Sequence, residues 1–243
     1  LIRIIYLQMK KILFIAVIVL SLPLKANELK CEESYEYFEI KAIEEMKNYE
    51  KGDFDAVREF SNSWYYAMNF KGPIPKKEKY YFGEWVNNKE FNRSIKNYLK
   101  AFDLSKSHFI DISYRKPKIN YISDLGEICV VPVKTQNVVL GRNINTVSDM
   151  IFIRNLQTDT WKGFTYLGIE KKADMDLLFP GLISKVRLSQ ALYNNKDLVD
   201  SNIEIAIEFL KERRTNLPKE ELLDVAKKHL EPKNEMLKIN GYK

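Results

Sequence analysis

The spacing of hydrophobic residues changes twice along this chain and divides it into helical, extended and again helical regions. From residue 32, apolar side chains recur every three or four positions, which is typical of an amphipathic helix. Gly52 is suited to end that helix, and Asp53 is suited to cap a second one that runs to about residue 68. A breaker follows at 71–75, the stretch 76–86 is ambiguous, and a third helix is predicted over 91–102.

After residue 107 the pattern alternates between apolar and polar residues, as in half-buried strands. The expected strands cover 108–114, 118–122, 128–136, 148–156 and 161–168. Residues 141–146 are predicted to be a loop, and Pro132 should mark an edge or a bulge, because proline cannot donate a ladder hydrogen bond. The short connections between these strands favour an antiparallel sheet.

The first of these strands should have two chemically different sides. Ile110, Ile112 and Tyr114 are expected on its buried side, and Asp111 is expected to face solvent. Asp111 is therefore a poor candidate for a buried acid or base.

Helical spacing returns after Gly168. A turn or short helix is predicted over 174–179, then helices over 182–193, after Asp197 and after Pro218. The fold class is therefore α+β, with N-terminal helices packed on a curved antiparallel sheet. We expect an α+β domain at 27–172 and a C-terminal helical extension at 173–243.

The first 26 residues have the pattern of a secretory signal peptide. Two lysines follow Met9, then comes a short apolar run, and Ala26 precedes the expected cut. The alternative is an uncleaved anchor, but 12–24 is shorter than the roughly 20 residues that span a bilayer. Met9 is the better start, so residues 1–8 are expected to be untranslated upstream sequence or an alternative start. The expected location is periplasmic or secreted, in a bacterium, with membrane attachment only if the leader is retained.

Charge at first suggests nucleic acid, because 39 basic residues exceed 33 acidic ones and the net charge is +6. Four of the basic residues and no acidic ones lie in the predicted leader, so 35 basic and 33 acidic residues follow it. The rest of the chain is nearly neutral, which argues against nucleic acid as a partner.

Two cysteines would share an oxidising compartment after export. A Cys31–Cys129 disulfide would close a loop of nearly 100 residues, worth about 4–5 kcal/mol in the chain-entropy model. The alternative is a free Cys31 with Cys129 buried as a small apolar side chain. The sequence leaves both states open.

A resemblance rests on the order of these elements and on three segments. They are the Gly-Asp region 50–56, the strand pair 128–133 and 150–156, and the turn with its aromatic strand at 157–166. Over about 32–170 the chain resembles the nuclear-transport-factor-2-like superfamily, which includes ketosteroid-isomerase-like and SnoaL-like proteins. The resemblance implies an apolar cone between helices and sheet as the place for a ligand. Because that superfamily contains both enzymes and binding modules, the fold does not assign a function.

Candidate site residues are mainly aromatic. Nucleotide-binding, zinc-protease, hydrolase and paired-cysteine motifs are absent from the sequence, so no metal or cofactor is expected. His108 and His229 are far apart, and a Cys129–His108 nucleophile pair is weaker than the alternative of a buried cysteine near a surface histidine. The candidate pocket residues, which can equally be core and rim, are Trp64, Tyr114, Tyr121, Trp161 and Tyr166.

The remaining polar candidates do not strengthen a catalytic interpretation. Arg154 interrupts an apolar strand and is expected to face outward near the strand end, although a buried arginine there would bind a carboxylate or phosphate. No acid appears embedded in an apolar strand stretch. We therefore expect a non-catalytic binding or protein-interaction module, with a protein partner, self-association or a small apolar ligand. The alternative is a small-molecule enzyme of the ketosteroid-isomerase-like kind, with its site in the cone.

Overall fold

The computed structural model describes residues 28–66, 89–168, 170 and 172–197, together with residues 200, 201, 204, 207, 211, 218 and 220–224. The predicted leader, His229 and most of the stretch between the second and third helices lie outside the described residues. Within the described part, helices precede a six-stranded antiparallel sheet, which confirms the α+β class.

Local sequence signals define the N-terminal helices. The described helices are α1 (Tyr35–Lys51), α2 (Phe54–Trp64) and α3 (Lys89–Leu104), and a short 3-10 turn at Glu32–Ser34 precedes α1. Gly52 ends α1 in the left-handed conformation, with φ of 68°. The Asp53 side chain caps α2 by accepting the backbone N–H of Ala56 at 3.0 Å. Both predicted boundaries are confirmed.

Two long strands form the centre of the sheet, and shorter strands lie along both sides. The strands are β1 (His108–Tyr114), β2 (Ile119–Ser123), β3 (Gly126–Val139), β4 (Arg142–Asn155), β5 (Thr160–Tyr166) and β6 (Leu192–Tyr193). One side of β3 pairs with β1 and β2 in turn, and the free side of β4 pairs with β5 and β6. The sheet therefore resembles four strands whose outer two are interrupted.

The β3–β4 hairpin corrects the loop predicted at 141–146. The two strands pair without interruption up to a two-residue turn at Leu140 and Gly141, whose φ angles are 53° and 73°. Positive φ at both positions belongs to the tight turn that matches strand twist. The strand was missed because its first residues are polar.

Pro132 lies in a central strand and neither at an edge nor in a bulge, so that prediction is wrong. Its carbonyl accepts the N–H of Arg115 at 3.0 Å, on the side where β1 has ended and β2 has not begun. The N and C=O of a strand residue point toward the same neighbouring strand. The nitrogen of Pro132 therefore faces the gap between β1 and β2, where no ladder hydrogen bond is needed.

β1 contains a bulge that changes which residues are buried. The pairing with β3 skips Ile110, which is 48% exposed, and Phe109 takes its place beside buried Ile112. The expected burial of Ile110 is therefore wrong, because one extra residue inverts the alternation. Asp111 is exposed, as predicted.

Both faces of the sheet are covered by apolar packing. On the front face, α1 and α2 pack against the strands, and Phe38 stacks on Phe152 with ring centroids 3.8 Å apart. On the back face, the segment after β5 packs against the alternate residues of the same strands. It includes α4 (Lys172–Leu178) and α5 (Leu182–Lys185), and its fully buried side chains are Met175, Leu178, Phe179 and Leu182.

The segment 175–188 therefore shares a core with the sheet. The helix predicted over 182–193 is wrong, because α5 ends at Lys185 and β6 pairs with β4. The loop between α5 and β6 is held by polar contacts described below. Farther along, the Asp197 side chain accepts the N–H of Asp200 at 2.9 Å, consistent with the predicted cap.

Replacing Gly163 with alanine should disturb the packing of α2 on the front face. A Cβ at this position would lie 3.0 Å from three atoms of the Trp64 indole, which is itself buried. We expect the variant to lose about 1–3 kcal/mol in the free energy of unfolding, measured by urea denaturation. The loss should shrink when Trp64 is replaced by phenylalanine, and an equal loss in both backgrounds would contradict this explanation.

Candidate functional site

Arg154 is buried inside the protein and bound to two carboxylates, so its predicted outward position is wrong. It lies opposite Glu127 in the β3–β4 ladder, and its Nε and Nη2 are 2.7 and 2.6 Å from Glu127 Oε2. Its Nη1 bonds Asp159 Oδ1 at 2.6 Å, and its guanidinium carbon is 5.7 Å from the centre of the Trp161 ring. Arg154 is only 5% exposed and Glu127 is fully buried. The guanidinium is therefore neutralised within the chain.

The same cluster binds the main chain of residues 28–31, and we call Glu127, Arg154 and Asp159 the N-terminal clasp. Glu127 Oε1 accepts the backbone N–H groups of Lys30 and Cys31 at 2.8 and 3.0 Å. Arg154 Nη2 donates to the Glu28 carbonyl at 2.6 Å, and Lys30 Nζ bonds Asp159 at 2.9 Å. The hydrogen bonds of Lys30 and Arg154 hold the pKa of Asp159 below its ordinary value. The clasp uses its charges to attach this segment to the sheet.

The Cys31–Cys129 disulfide fixes the end of that segment. Both cysteines are fully buried, and their Cα atoms are 6.2 Å apart. Of the two states that the sequence left open, the structure contains the bridge. A Cys129 thiolate is then absent, which removes the nucleophile of the Cys129–His108 pair considered above.

A second buried acid, Asp149, holds the loop after α5 on the back face. Asp149 Oδ2 accepts from Lys118 Nζ and from the backbone N–H of Ser189, both at 2.6 Å. Lys118 also donates to Ser189 Oγ at 2.7 Å and to the Arg187 carbonyl at 3.4 Å. Lys118 Nζ thus joins the buried Asp149 carboxylate to the Ser189 hydroxyl and the Arg187 carbonyl of the loop. The Ser189–Lys118 contact is therefore structural.

The expectation that strands contain no embedded acid is wrong for both Glu127 and Asp149. Each is almost completely buried on a central strand. The sequence concealed them because Glu127 follows a turn and Asp149 lies beside polar Ser148, whereas their cationic partners come from distant positions.

A third cluster lies among the N-terminal helices and is built around Glu45. The Tyr65 hydroxyl donates to Glu45 Oε1 at 2.6 Å. Tyr65 reaches this position because the end of α2 docks on β5, where the N–H of Tyr66 donates to the Gly163 carbonyl at 3.0 Å. Lys162 supports this docking by donating to the carbonyls at the end of α2.

Two further tyrosines complete what we call the Glu45 cluster, comprising Glu45, Tyr49, Tyr65 and Tyr98. Tyr49 lies one turn after Glu45 on the same face of α1. Its ring is 5.8 Å from that of Tyr98 on α3. Tyr98 is 65% exposed, while burial and the nearby Glu45 carboxyl raise the pKa of its hydroxyl above 10.0.

The electrostatic environment of Glu45 favours its neutral form. Burial raises the pKa of Glu45 from 4.5 to about 7, and the hydrogen bond from Tyr65 opposes this rise. Burial, together with the nearby Glu45 carboxyl, raises the pKa values of Tyr49 and Tyr65 above the ordinary value of 10.0. Glu45 can therefore exchange a proton near neutral pH, which a general acid or base requires.

Sequence reasoning missed the Glu45 cluster. Glu45 lies in an acidic stretch of α1 that is typical of a solvated helix face, and its partner Tyr65 lies 20 positions farther along the chain. One weak signal was available, because Glu45 falls between the apolar stripe positions Ala42 and Tyr49 at helical spacing.

The five predicted pocket aromatics do not line a common surface. Trp64, Tyr114 and Trp161 surround Phe38 on the front face, with ring centroids 5.1–6.2 Å from its ring. Tyr121 and Tyr166 pack on the back face. The front-face group is a packed aromatic core, and the thickness of the sheet separates it from the other two.

Comparisons of the chain with protein-family models, curated proteins and solved structures found no match. Among the described residues, no group of three histidine, cysteine, aspartate or glutamate side chains could hold a metal ion. In the same part of the chain, no helix is long and apolar enough to cross a membrane.

The raised pKa of Glu45 should make folding stability depend on pH. Well below pH 4.5 the carboxyl is protonated in both the folded and the unfolded chain. As the pH rises to about 7, the unfolded chain loses this proton first, so the free energy of unfolding should fall by roughly 2 kcal/mol, a value discounted because Glu45 is only partly buried by surface area. Urea denaturation across this range should show the fall in the wild type.

Two glutamine variants test the source of this dependence. Glu45→Gln should remove the fall, whereas Glu44→Gln on the same helix should retain it, because Glu44 is exposed and pairs with Lys41. If the free energy of unfolding falls equally in Glu45→Gln, another titrating group causes the fall.

Proposed function

We propose that this protein is an exported, non-catalytic binding module of the nuclear-transport-factor-2-like kind, which holds a small organic ligand at the Glu45 cluster. The proposal is based on a difference between the three polar clusters. The N-terminal clasp and the Asp149 contacts each hold a main-chain segment on the sheet. The Glu45–Tyr65 bond joins two side chains beside a solvent-exposed tyrosine.

Binding is favoured over catalysis by the direction of the Tyr65 hydrogen bond. The Tyr65 hydroxyl donates a hydrogen bond to Glu45, so the two groups that could act as acid and base are bonded to each other. A substrate would have to displace this bond before either group could act on it.

Export is supported by the leader pattern and by the disulfide. Disulfides persist in oxidising compartments and are rare in the cytosol. The clasp binds residues 28–31, directly after the predicted cut behind Ala26. Intact mass measurement of the protein recovered from its host should give an N-terminus at residue 27, and a retained leader would contradict cleavage.

Native mass spectrometry of the recovered full-length protein tests the proposed function. We expect a small molecule that is retained by the wild type and by Glu44→Gln but is lost from Glu45→Gln. Circular dichroism of the three proteins checks that each is folded. A wild type without any retained molecule, or a molecule retained equally by Glu45→Gln, would overturn the proposal.

A second candidate function is a small-molecule enzyme that uses Glu45 as general acid or base. The observation that favours it is the hydrogen bond between the Tyr65 hydroxyl and Glu45, whose pKa burial raises to about 7, a value that suits proton transfer at neutral pH. Incubating the retained molecule with wild-type protein distinguishes the two candidates. Chemical conversion that is lost in Glu45→Gln would support the enzyme and overturn the binding module, whereas an unchanged molecule supports the binding module.

A further inference from the structure

We propose that the N-terminal clasp positions Cys31 for oxidation, so that the reduced protein already holds its two thiols side by side when a disulfide-containing oxidant reaches it. Glu127 and Arg154 are then positioning residues for the formation of the Cys31–Cys129 bond. This role is independent of any ligand at the Glu45 cluster.

The clasp holds the segment before Cys31 through nitrogen and oxygen atoms. Glu127 Oε1 accepts the backbone N–H groups of Lys30 and Cys31 at 2.8 and 3.0 Å, and Arg154 Nη2 donates to the Glu28 carbonyl at 2.6 Å. The β3–β4 ladder supplies both charged groups, because Glu127 and Arg154 lie opposite each other in it. These contacts therefore require the folded sheet but not the bridge.

The register of β3 places the second thiol beside this docking point. Glu127 and Cys129 are two residues apart, so their side chains point to the same face of the sheet and lie about 7 Å apart along the strand. Glu127 binds the N–H of Cys31 itself, and the Cα atoms of the two cysteines are 6.2 Å apart, a separation that a disulfide spans. Docking of Cys31 on Glu127 thus brings its side chain within reach of Cys129.

A second anchor holds the chain after Cys31. Phe38 on α1 stacks on Phe152, which lies opposite Cys129 in the β3–β4 ladder. The backbone N–H of Ser34 donates to the Cys31 carbonyl at 3.1 Å and links the cysteine to the start of α1. Because Cys31 is held on both sides, less conformational freedom is lost when the bond closes, which favours the bridged form.

Thiol–disulfide exchange with an oxidant such as oxidised glutathione forms the bridge. One cysteine thiolate attacks the disulfide of the oxidant, which releases one oxidant thiol and leaves a mixed disulfide on the protein. The second cysteine thiolate attacks the protein sulfur of that mixed disulfide and releases the second oxidant thiol. The protein loses two electrons and two thiol protons, and the oxidant gains them. The positioning of Cys31 favours the second, intramolecular step.

Equilibration of the full-length protein with reduced and oxidised glutathione tests the proposal. Alkylation followed by intact mass measurement gives the equilibrium constant between the dithiol and the bridged protein. The double variant Glu127→Gln/Arg154→Met removes both charges of the ion pair, and we expect it to lower this constant by about tenfold. Asp149→Asn is the matched control, because it breaks a buried ion pair on the opposite face, and it should change the constant by less than about twofold. Circular dichroism checks that the reduced proteins are folded.

Hydrogen exchange followed by NMR gives a second readout, in a protein that cannot form the bridge. In Cys31→Ala/Cys129→Ala, the backbone N–H groups of residues 30 and 31 should stay protected, because their acceptor is Glu127. Adding Glu127→Gln and Arg154→Met to this protein should make both groups exchange faster. If the glutathione variant Glu127→Gln/Arg154→Met unfolds on reduction, this measurement decides.

Three outcomes would overturn the proposal. The first is a reduced wild type that is unfolded, or a constant that falls as far in Asp149→Asn as in the clasp variant, because the bridge would then depend on overall stability alone. The second is a folded clasp variant whose constant equals that of the wild type. The third is fast exchange at residues 30 and 31 in the bridge-free protein, since the disulfide itself would then order the segment.

Discussion

Replacing Cys31 and Cys129 together with alanine is expected to lower the free energy of unfolding by about 4–5 kcal/mol. The two cysteines are separated by 98 positions, so their bond removes a large amount of conformational entropy from the unfolded chain. Both are fully buried, and the bridge joins the N-terminal segment to the central strand β3. Urea denaturation of the oxidised wild type and the double variant would measure the loss.

The control for this prediction is the wild-type sequence itself. Wild type unfolded and reduced with a thiol, then refolded under reducing conditions, should have nearly the same unfolding midpoint as the double alanine variant. A double variant as stable as the oxidised wild type would contradict the structural role of the bridge.

Replacing Arg154 with methionine is expected to cost about 3–5 kcal/mol, because it leaves the fully buried Glu127 carboxylate without its cation. Methionine keeps much of the apolar length of arginine, so the loss reports mainly on charge. Urea denaturation at neutral pH measures it. The backbone N–H groups of Lys30 and Cys31 still reach Glu127, but they do not neutralise it.

Two further variants separate charge burial from simple contact loss. Asp159→Asn removes the second carboxylate that pairs with Arg154. The Asp159 side chain is 56% exposed, so this change should cost less than about 1 kcal/mol. Adding Glu127→Gln to Arg154→Met should recover part of the loss, since the uncompensated charge is then absent. An Arg154→Met variant no less stable than Asp159→Asn would contradict this account.

The disulfide and the clasp act on the same four residues and should not contribute independently. Cys31 carries both the bridge and one of the N–H groups that bind Glu127. Once the bridge is removed, the hydrogen bonds of the clasp must hold residues 28–31 on the sheet. The combined variants should therefore show a coupling energy, as expected for neighbouring sites that share partners.

Much of the fold was predictable because the signals that define it are local. β1 has the bounds that were predicted for it, and the Gly52–Asp53 boundary between α1 and α2 follows from the backbone freedom of glycine and the capping carboxylate of aspartate. The β4–β5 hairpin likewise follows from two apolar runs joined by a short polar connection.

The errors arose where one extra residue or a distant partner decides the outcome. The bulge at Ile110 inverts the burial pattern without changing the composition of β1. The start of β4 was not predicted because its residues are polar. The turn before it was also not predicted, because it needs a positive φ at Leu140 as well as at Gly141. The site aromatics were predicted as one group, but alternate residues of a strand point to opposite faces.

By itself the sequence determined the α+β class, the order of the N-terminal helices and the first five strands, and the helix caps, because each depends on residues within a few positions of one another. Only the tertiary structure decided the roles of Arg154, Glu127, Asp149 and Glu45. A charged side chain is stable in a core only when a partner is brought to it, and these partners lie 20 to 40 positions away in the chain. Pairing across the sheet and docking of α2 on β5 bring them together, and no pattern local to each residue contains that information.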